Sequence, residues 1–397
     1  MKFTKVSKSP ASKRFPCTQC GAVLKYAPGT QYQACEYCDF ENNIELRAGS
    51  IKELPLHQAL QQLSESSVTT VKNNIHCDEC GATFQFKSSV HAGECPFCGT
   101  PIVSSTEHIK SIPPKSLLPF SVKQKTAQKL FHKWIKSLWF APNAVKKYSR
   151  SKTKLNGIYL PFWTFDSDTQ TYYQGERGDT YYVQQRVQVM RNKRLVTETR
   201  KVPKIRWTSV SGQVTCFFDD VLIGASRSLP RKIVDTLKPW DLDKLIPYDE
   251  NYLSGFSSEF YQVDLDEGFD YAKQVMDNKI YRDIAHDIGG DHQRVHSIQT
   301  QHKNNTYKHC LLPVWSAAFR YRDKSYRFVI NARTGKVQGE RPYSIWKISF
   351  SILTIFIFLT GAWYYLDKRG TFDNTQQFSY PQQLQDSFQH KGYQSLK

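Results

Sequence analysis

The sequence lacks the motifs of a nucleotide-driven motor. The stretch Thr334-Gly335-Lys336 has no glycine at the required earlier spacing and is followed by Val337, so it is not a Walker sequence. Acidic residues such as Asp219 and Asp220 are present, but the sequence identifies no catalytic partner for them. We therefore expect no enzymatic activity, and an enzyme of unrecognised type is only the third hypothesis.

The first ten residues lack the apolar run of a secretory signal peptide. We therefore expect the N-terminal part of the chain to stay in a reducing compartment, where thiols remain available to metal. The 397-residue chain has ten cysteines. In such a compartment a disulfide framework is the poorer interpretation of them.

Residues 101–155 are nearly devoid of acidic side chains. They contain twelve Lys or Arg residues and one acid, Glu107, whereas residues 1–100 contain ten basic and nine acidic residues. Apolar residues recur at helical spacing from Ala127 to Leu138, which predicts a basic amphipathic helix over 122–138. Its lysines are compatible with a solvated face, with anionic lipid headgroups or with nucleic acid.

Eight of the ten cysteines form four Cys-x-x-Cys pairs, which is the spacing of metal ligands. One set of four positions recurs at an offset of 60 residues. The two sets are Cys17, Cys20, Cys35 and Cys38, and Cys77, Cys80, Cys95 and Cys98. Four thiolates close a tetrahedral site, so the sequence predicts two rubredoxin-like ribbons, each with one structural Zn²⁺. An iron–sulfur or redox dithiol site is the competing interpretation.

Three histidines and two cysteines lie outside these sets. His57, His76 and His91 are interpreted as surface residues or as neighbours of the ligands, because eight cysteines already fill two sites. Cys216 and Cys310 lie in apolar, strand-like runs. We expect them to be buried core thiols rather than a reactive pair.

Aromatic and β-branched residues dominate 157–225, which predicts an antiparallel meander with a turn at Arg191–Arg194. The periodicity then predicts helices at 228–240 and 261–285 and strands at 311–319 and 326–330. The predicted fold class is α+β, with two small zinc ribbons and a mostly antiparallel β/α body.

Residues 348–366 form a run of nineteen residues without a charge. At ~1.5 Å per residue the run spans about 28 Å, close to the ~30 Å thickness of a bilayer's hydrocarbon layer. Trp346 and Trp363 to Tyr365 lie at its two ends, where aromatic belts occur. The sequence therefore predicts a single transmembrane helix, with a buried core helix as the alternative.

The basic residues that flank this run predict its orientation. Four of them precede it and two follow it: Arg333, Lys336, Arg341 and Lys347, then Lys368 and Arg369. Because basic residues favour the cytoplasmic side, we expect the N-terminal body in the cytoplasm and the tail outside.

The predicted division of the chain has seven parts. These are a zinc ribbon at 1–48, a polar helix or linker at 49–73, a second ribbon at 74–105, the basic linker and amphipathic helix at 106–155, the body at 156–345, the transmembrane helix at 346–367 and a disordered tail at 368–397.

The chain resembles a family of bacterial membrane-anchored tandem zinc-ribbon proteins, often labelled primosomal-helicase-like or TFIIB-type zinc-binding. The resemblance covers about 15 to 366. Besides the ribbons, it is carried by Leu118–Phe120, Trp139–Pro142, Gly157–Phe165, Arg206-Trp207, Phe218–Asp220, Pro239-Trp240, Ile288–Asp291, Leu311–Trp315 and Gly339–Pro342.

The resemblance implies a role rather than an activity. Members are encoded beside phage-shock-protein-A-like and flotillin-like proteins and are implicated in recruiting them to the membrane during envelope stress. We therefore expect a non-enzymatic adaptor at the bacterial cytoplasmic (inner) membrane, with protein partners of these kinds. The alternative is a membrane-tethered nucleic-acid-binding protein without helicase activity.

Overall fold

The computed structural model describes most of the chain, and the statements below concern the described residues: 16–22, 24–45, 49, 51–65, 70–71, 75–76, 81–84, 92–94, 97, 101–103, 108–109, 112–142, 155–191, 194–321, 324–341 and 343–368. Within them the fold is mixed α+β with mostly antiparallel sheets, which confirms the predicted class at that level.

Five α-helices occur in the described residues: α1 (Leu56–Glu65), α2 (Gln124–Ser137), α3 (Arg231–Thr236), α4 (Leu265–Ile288) and α5 (Ile345–Lys368). Two short 3-10 turns lie at Leu242–Lys244 and Glu250–Leu253. Helix α1 lies within the predicted linker, and α2 lies within the predicted basic amphipathic segment.

The described strands are β1 (Leu24–Tyr26), β2 (Tyr32–Cys35), β3 (Glu41–Asn43), β4 (Leu54–Pro55), β5 (Thr70–Val71), β6 (Ile75–His76), β7 (Thr83–Phe84), β8 (Ala92–Glu94), β9 (Pro101–Val103), β10 (His108–Ile109), β11 (Ser116–Leu117), β12 (Asn156–Arg191), β13 (Arg194–Gly224), β14 (Ile246–Pro247), β15 (Ser257–Ser258), β16 (His292–Tyr321), β17 (Lys324–Asn331) and β18 (Val337–Gly339).

A nine-stranded sheet is built around β12 and β16. The two strands pair antiparallel from Asn156 opposite Ser316 to Gly178 opposite His292. Strand β13 lies beyond β12, while β11, β4 and β17 pair with β16. The segment predicted as a meander is thus two long strands, and the predicted turn lies between them.

Residues 158–165 of strand β12 are buried on both faces of the sheet, which explains the nearly continuous apolar sequence of this part of the strand. Because successive side chains alternate between faces, Ile158 and Phe162 enter one hydrophobic cluster, with Leu229. Trp163 and Phe165 enter a cluster on the other face. Both faces must therefore be covered by other elements.

Helix α4 covers one of these faces. Its buried residues recur at helical spacing, as expected for a helix that presents one stripe to a sheet: Leu265, Gly268, Ala272, Met276, Ile280, Ile284 and Ile288. A Cβ on Gly268 would lie 2.8 Å from Cδ1 of Trp163, so the close approach of helix and sheet requires glycine.

The chain divides into two compact units. The first comprises residues up to Asp179 and Trp207–Ser344, and the second comprises Thr180–Arg206 and the segment from Ile345. In the second unit, Ile345–Leu366 of α5 is long and apolar enough to cross a membrane, and its most apolar window is not buried by protein. At ~1.5 Å per residue its 22 residues extend about 33 Å.

Candidate metal centre

Four cysteines from the first predicted set converge on one point. Their Sγ atoms all lie within 4.8 Å of one another. The Sγ atoms of Cys17 and Cys38 are 3.7 Å apart, and those of Cys20 and Cys35 are 3.5 Å apart. The thiols belong to two pairs that face each other, and none of the four is in a disulfide.

Each pair sits in a tight turn, and the two turns follow the same pattern. The N–H of Gly21 donates to the carbonyl of Cys17 at 2.8 Å, and the N–H of Asp39 donates to that of Cys35 at 3.0 Å. Both Gly21 and Asp39 are left-handed, with φ of 73° and 57°. The chain therefore folds back after each pair and directs both of its sulfurs inward.

Backbone N–H groups point at the sulfurs in the same way in both turns. Cys17 Sγ accepts from the N–H groups of Gln19 and Cys20, and Cys35 Sγ accepts from the two equivalent groups of its own turn. Asn42 Nδ2 donates to Cys17 Sγ at 3.8 Å, and its Oδ1 accepts from the Thr18 N–H at 3.1 Å. Such donors stabilise thiolates, the form that binds metal.

The electrostatics of the cluster favour ionisation of part of it. Burial raises the pKa of Cys17, but the N–H groups and the Asn42 amide lower it to about 6. The pKa of Cys35 is also lowered, mainly by the N–H of Cys38. Four thiolates this close repel one another, so a bound cation is needed to hold all of them ionised.

The sulfur positions fit a tetrahedral metal. With metal–sulfur bonds of ~2.3 Å, the edges of a regular tetrahedron are about 3.8 Å long. The two measured edges are 3.7 Å and 3.5 Å. This cysteine cluster could hold a metal ion, and its donor set is the one that Zn²⁺ uses in structural sites.

The segment that carries the first cysteine set, with strands β1, β2 and β3, is docked on the body by backbone hydrogen bonds. The N–H of Tyr26 donates to Ser254 O at 2.9 Å, and the N–H of Gly29 donates to Phe120 O at 2.7 Å. The ring of Tyr26 is buried and meets the ring of Tyr252 edge-on at 4.9 Å. The candidate metal site is therefore part of the packed body of the first unit.

The four cysteines of the second predicted set lie outside the described residues. Neighbouring residues are described: Gly81 has φ of 71°, as Gly21 has at the equivalent position. Ala82 and Phe97 are buried in a cluster with Leu118. Gln262 Nε2 donates to Gly81 O at 2.6 Å, so this segment also contacts the body.

The remaining candidate residues are the three histidines and the two cysteines outside the two predicted sets. His57 is exposed, and the side chains of His76 and His91 lie outside the described set. Cys310 is buried as predicted, and burial raises the pKa of its thiol to about 12. The prediction for Cys216 was wrong in part: it is only partly buried, and its thiol donates to Asp283 Oδ2 at 3.1 Å.

A group of three carboxylates lies at the central sheet, and the sequence pattern did not predict it. Glu53, Asp166 and Asp219 bring one oxygen each within 4.8 Å of the others. Lys308 lies beside them, its Nζ 3.2 Å from Glu53 Oε1 and 2.7 Å from Asp220 Oδ1. Because Lys308 supplies the positive charge that these carboxylates need, we assign the carboxylate group a structural role.

The two carboxyl groups of Glu53 and Asp166 interact closely. The hydrogen bond with Asp166 is the main cause that lowers the pKa of Glu53, and burial is the main cause that raises the pKa of Asp166. Asp166 accepts from the Asp220 N–H at 2.7 Å and from the Thr306 hydroxyl at 2.6 Å. The pKa values of the two carboxyl groups are therefore shifted in opposite directions, that of Asp166 upward and that of Glu53 downward.

Comparison with known proteins gives one distant relative. The chain is 24% identical over 348 residues to the uncharacterized protein YdjG of Bacillus subtilis (strain 168), an alignment that spans 84% of this chain and 92% of that protein. No family model matches the chain, and no solved structure is similar to it. The similarity extends beyond the ribbons, because it spans most of both chains.

Replacing Cys17 and Cys35 by serine is expected to remove about one metal ion per chain, because each turn loses one of its two thiolates. The measurement is elemental analysis of detergent-purified full-length protein. Cys216→Ser is the matched control, and we expect it to retain the wild-type metal content. Unchanged metal in the double variant would rule out this cluster as a binding site.

Asp166→Asn is expected to gain stability relative to wild type as the pH rises. Because its pKa is raised, native Asp166 holds its proton to a higher pH than an Asp of the unfolded chain, whose pKa is ~3.9, so the contribution of Asp166 to wild-type stability falls as the pH rises above that value. The amide of the variant does not ionise, so its contribution to stability does not change over this pH range.

The measurement is thermal unfolding in detergent between about pH 4 and about pH 8. Asp168→Asn, two positions along the same strand, serves as the control and should follow the wild-type profile. Parallel profiles for wild type and Asp166→Asn would contradict the raised pKa of Asp166.

Proposed function

We propose that this protein is a non-enzymatic, membrane-anchored zinc-ribbon adaptor that recruits protein partners to the bacterial cytoplasmic membrane. The observation that carries the proposal is the four-cysteine cluster, a closed donor set docked on the body. A metal held by four thiolates has no free position for water, so its chemistry is structural. The ribbon then serves as a rigid surface for a partner.

Two structural Zn²⁺ ions belong to the proposal. The first is bound by Cys17, Cys20, Cys35 and Cys38, and the second by Cys77, Cys80, Cys95 and Cys98. The sulfur geometry supports the first ion. The repeated cysteine spacing and the left-handed Gly81 support the second.

Helix α5 is the proposed membrane anchor. Its length and composition support a single crossing. The excess of basic residues on its N-terminal side supports a body that faces the cytoplasm. The partners suggested by the family resemblance are phage-shock-protein-A-like and flotillin-like proteins, which act at the membrane in envelope stress.

Flotation of neutral proteoliposomes tests the adaptor role. Purified phage-shock-protein-A-like or flotillin-like protein is expected to float with vesicles that contain the full-length chain and to stay below when vesicles are empty. The Cys17→Ser/Cys35→Ser variant should recruit less, because the ribbon loses its metal, whereas Cys216→Ser should recruit normally. Equal recovery of both candidate partners with and without the chain would defeat the proposal.

A membrane-tethered nucleic-acid-binding protein is the second candidate, and one feature of the second unit favours it. Thr180–Arg206 carries eight Lys or Arg residues and one acid, Glu198, on two strands joined as a ribbon. A two-stranded ribbon can enter the major groove of DNA, and basic side chains contact phosphates.

Salt titration of DNA and RNA binding tests this second candidate. Neutralising Arg200, Lys201 and Lys204 with glutamine should reduce the slope of log affinity against log salt by about 2 to 3, if each side chain contacts a phosphate. Lys273→Gln on α4 is the control and should leave the slope unchanged. Absence of any salt-dependent binding would eliminate the candidate.

A further inference from the structure

Helix α2 carries a stripe of lysines on one face. At 100° per residue, Lys125, Lys129, Lys133 and Lys136 fall within an arc of about 80°. All four are exposed, and the helix contains no acidic residue. Among the described residues none of the four forms an ion pair with an acid. The stripe therefore presents uncompensated positive charge to its surroundings.

The opposite face of α2 fixes the helix to the sheet. Ala127, Phe131 and Ile135 are buried. The ring of Phe131 stacks on that of Phe328 with centroids 3.8 Å apart, and Trp315 Nε1 donates to Val122 O at 2.7 Å just before the helix. The direction of the lysine stripe is therefore set by the core and is not free to vary.

The turn that follows α2 is hydrogen-bonded to the residue that precedes the proposed membrane anchor in the chain. Phe140 O accepts from the N–H of Ser344 at 2.8 Å, and the next residue along the chain, Ile345, begins α5. Trp139 is 75% exposed and Phe140 is 39% exposed. The exposed Trp139-Phe140 pair is therefore hydrogen-bonded to the residue that immediately precedes the apolar helix.

We propose that the lysine stripe of α2 and the Trp139-Phe140 turn form a binding surface for anionic lipid headgroups. The inference rests on the proposed membrane anchor. Each headgroup layer is about 5 to 8 Å thick, so a turn bonded to Ser344 lies at that depth when α5 crosses the bilayer. Exposed aromatic rings favour this layer, and lysines nearby are attracted to anionic lipid.

Continuity with the anchor favours lipid over nucleic acid as the occupant. Lys133 and Lys136 are within two turns of Phe140, so they lie about 10 Å or less from the headgroups along the helix. That distance is comparable to the Debye length of ~8 Å at physiological salt, and the attraction remains effective. The anchor thus holds these lysines at an anionic surface at all times.

Lysine acetylation in nanodiscs tests the proposal on the full-length protein. The protein is reconstituted in phosphatidylcholine alone or with phosphatidylglycerol added, and the acetylation rate of each lysine is followed by mass spectrometry. In anionic discs we expect Lys133 and Lys136 to react about fivefold more slowly. Raising the salt to about 1 M, where the Debye length is ~3 Å, should restore the neutral-disc rate.

Lys303 is the internal control. Lys303 is exposed and lies about 40 Å along β16 from Trp315, the residue that contacts Val122 just before α2. Its acetylation rate should therefore be the same in both lipids. Equal rates for Lys133 and Lys136 in both discs would overturn the proposal. So would protection of these lysines by added duplex DNA but not by anionic lipid, which would identify nucleic acid as the occupant.

The same experiment separates this inference from the proposed function. A protein that fails to enter nanodiscs and stays in the aqueous fraction contradicts the anchor and the lipid surface together. A protein that enters the discs without lipid-dependent protection contradicts the lipid surface alone. Recruitment of partners in the flotation assay is read independently of both outcomes.

Discussion

The antiparallel pairing of β12 with β16 is the contact on which the rest of the first unit depends. It runs from Asn156 opposite Ser316 to Gly178 opposite His292, and the strands β4, β11, β15 and β17 attach to one or the other partner. Residues 158–165 of β12 are apolar on both faces, so this part of the pairing is stable only when α4 and other elements cover it. The sheet therefore gathers segments from distant parts of the chain, including the first ribbon.

A metal bound by the four-cysteine cluster would be coupled to folding of the body through Tyr26. This residue ends the first strand of the ribbon, yet its ring lies in the body core beside Tyr252, and its N–H donates to Ser254 O. A ligand that binds only the native state stabilises everything that folds with it. Structural zinc contributes about 10 to 16 kcal/mol of apparent binding energy in small ribbons, and here part of that energy would also order the surface around residues 251–256.

Sequence reasoning succeeded where the pattern is local. The spacing of Cys17, Cys20, Cys35 and Cys38 encodes their convergence, and helical periodicity encodes α2. It could not find Glu53 beside Lys308, because 255 residues separate them and only the pairing of β4 with β16 brings them together. It misjudged Cys216, because a strand-like run does not reveal which face a neighbouring helix such as α4 leaves open. The identity of the metal as zinc and the whole of the second site stay predictions.

Strand β16 begins at His292, which lies opposite Gly178 of β12. Strands β12 and β13 continue beyond that level of the sheet. Beyond that point, among the described strands, the two pair only with each other, so the outer edges of this two-stranded extension have no neighbouring strand. Such edges invite a second chain to add a strand. Eight cationic side chains in Thr180–Arg206 oppose that approach by mutual repulsion, so the extension can remain long without promoting aggregation.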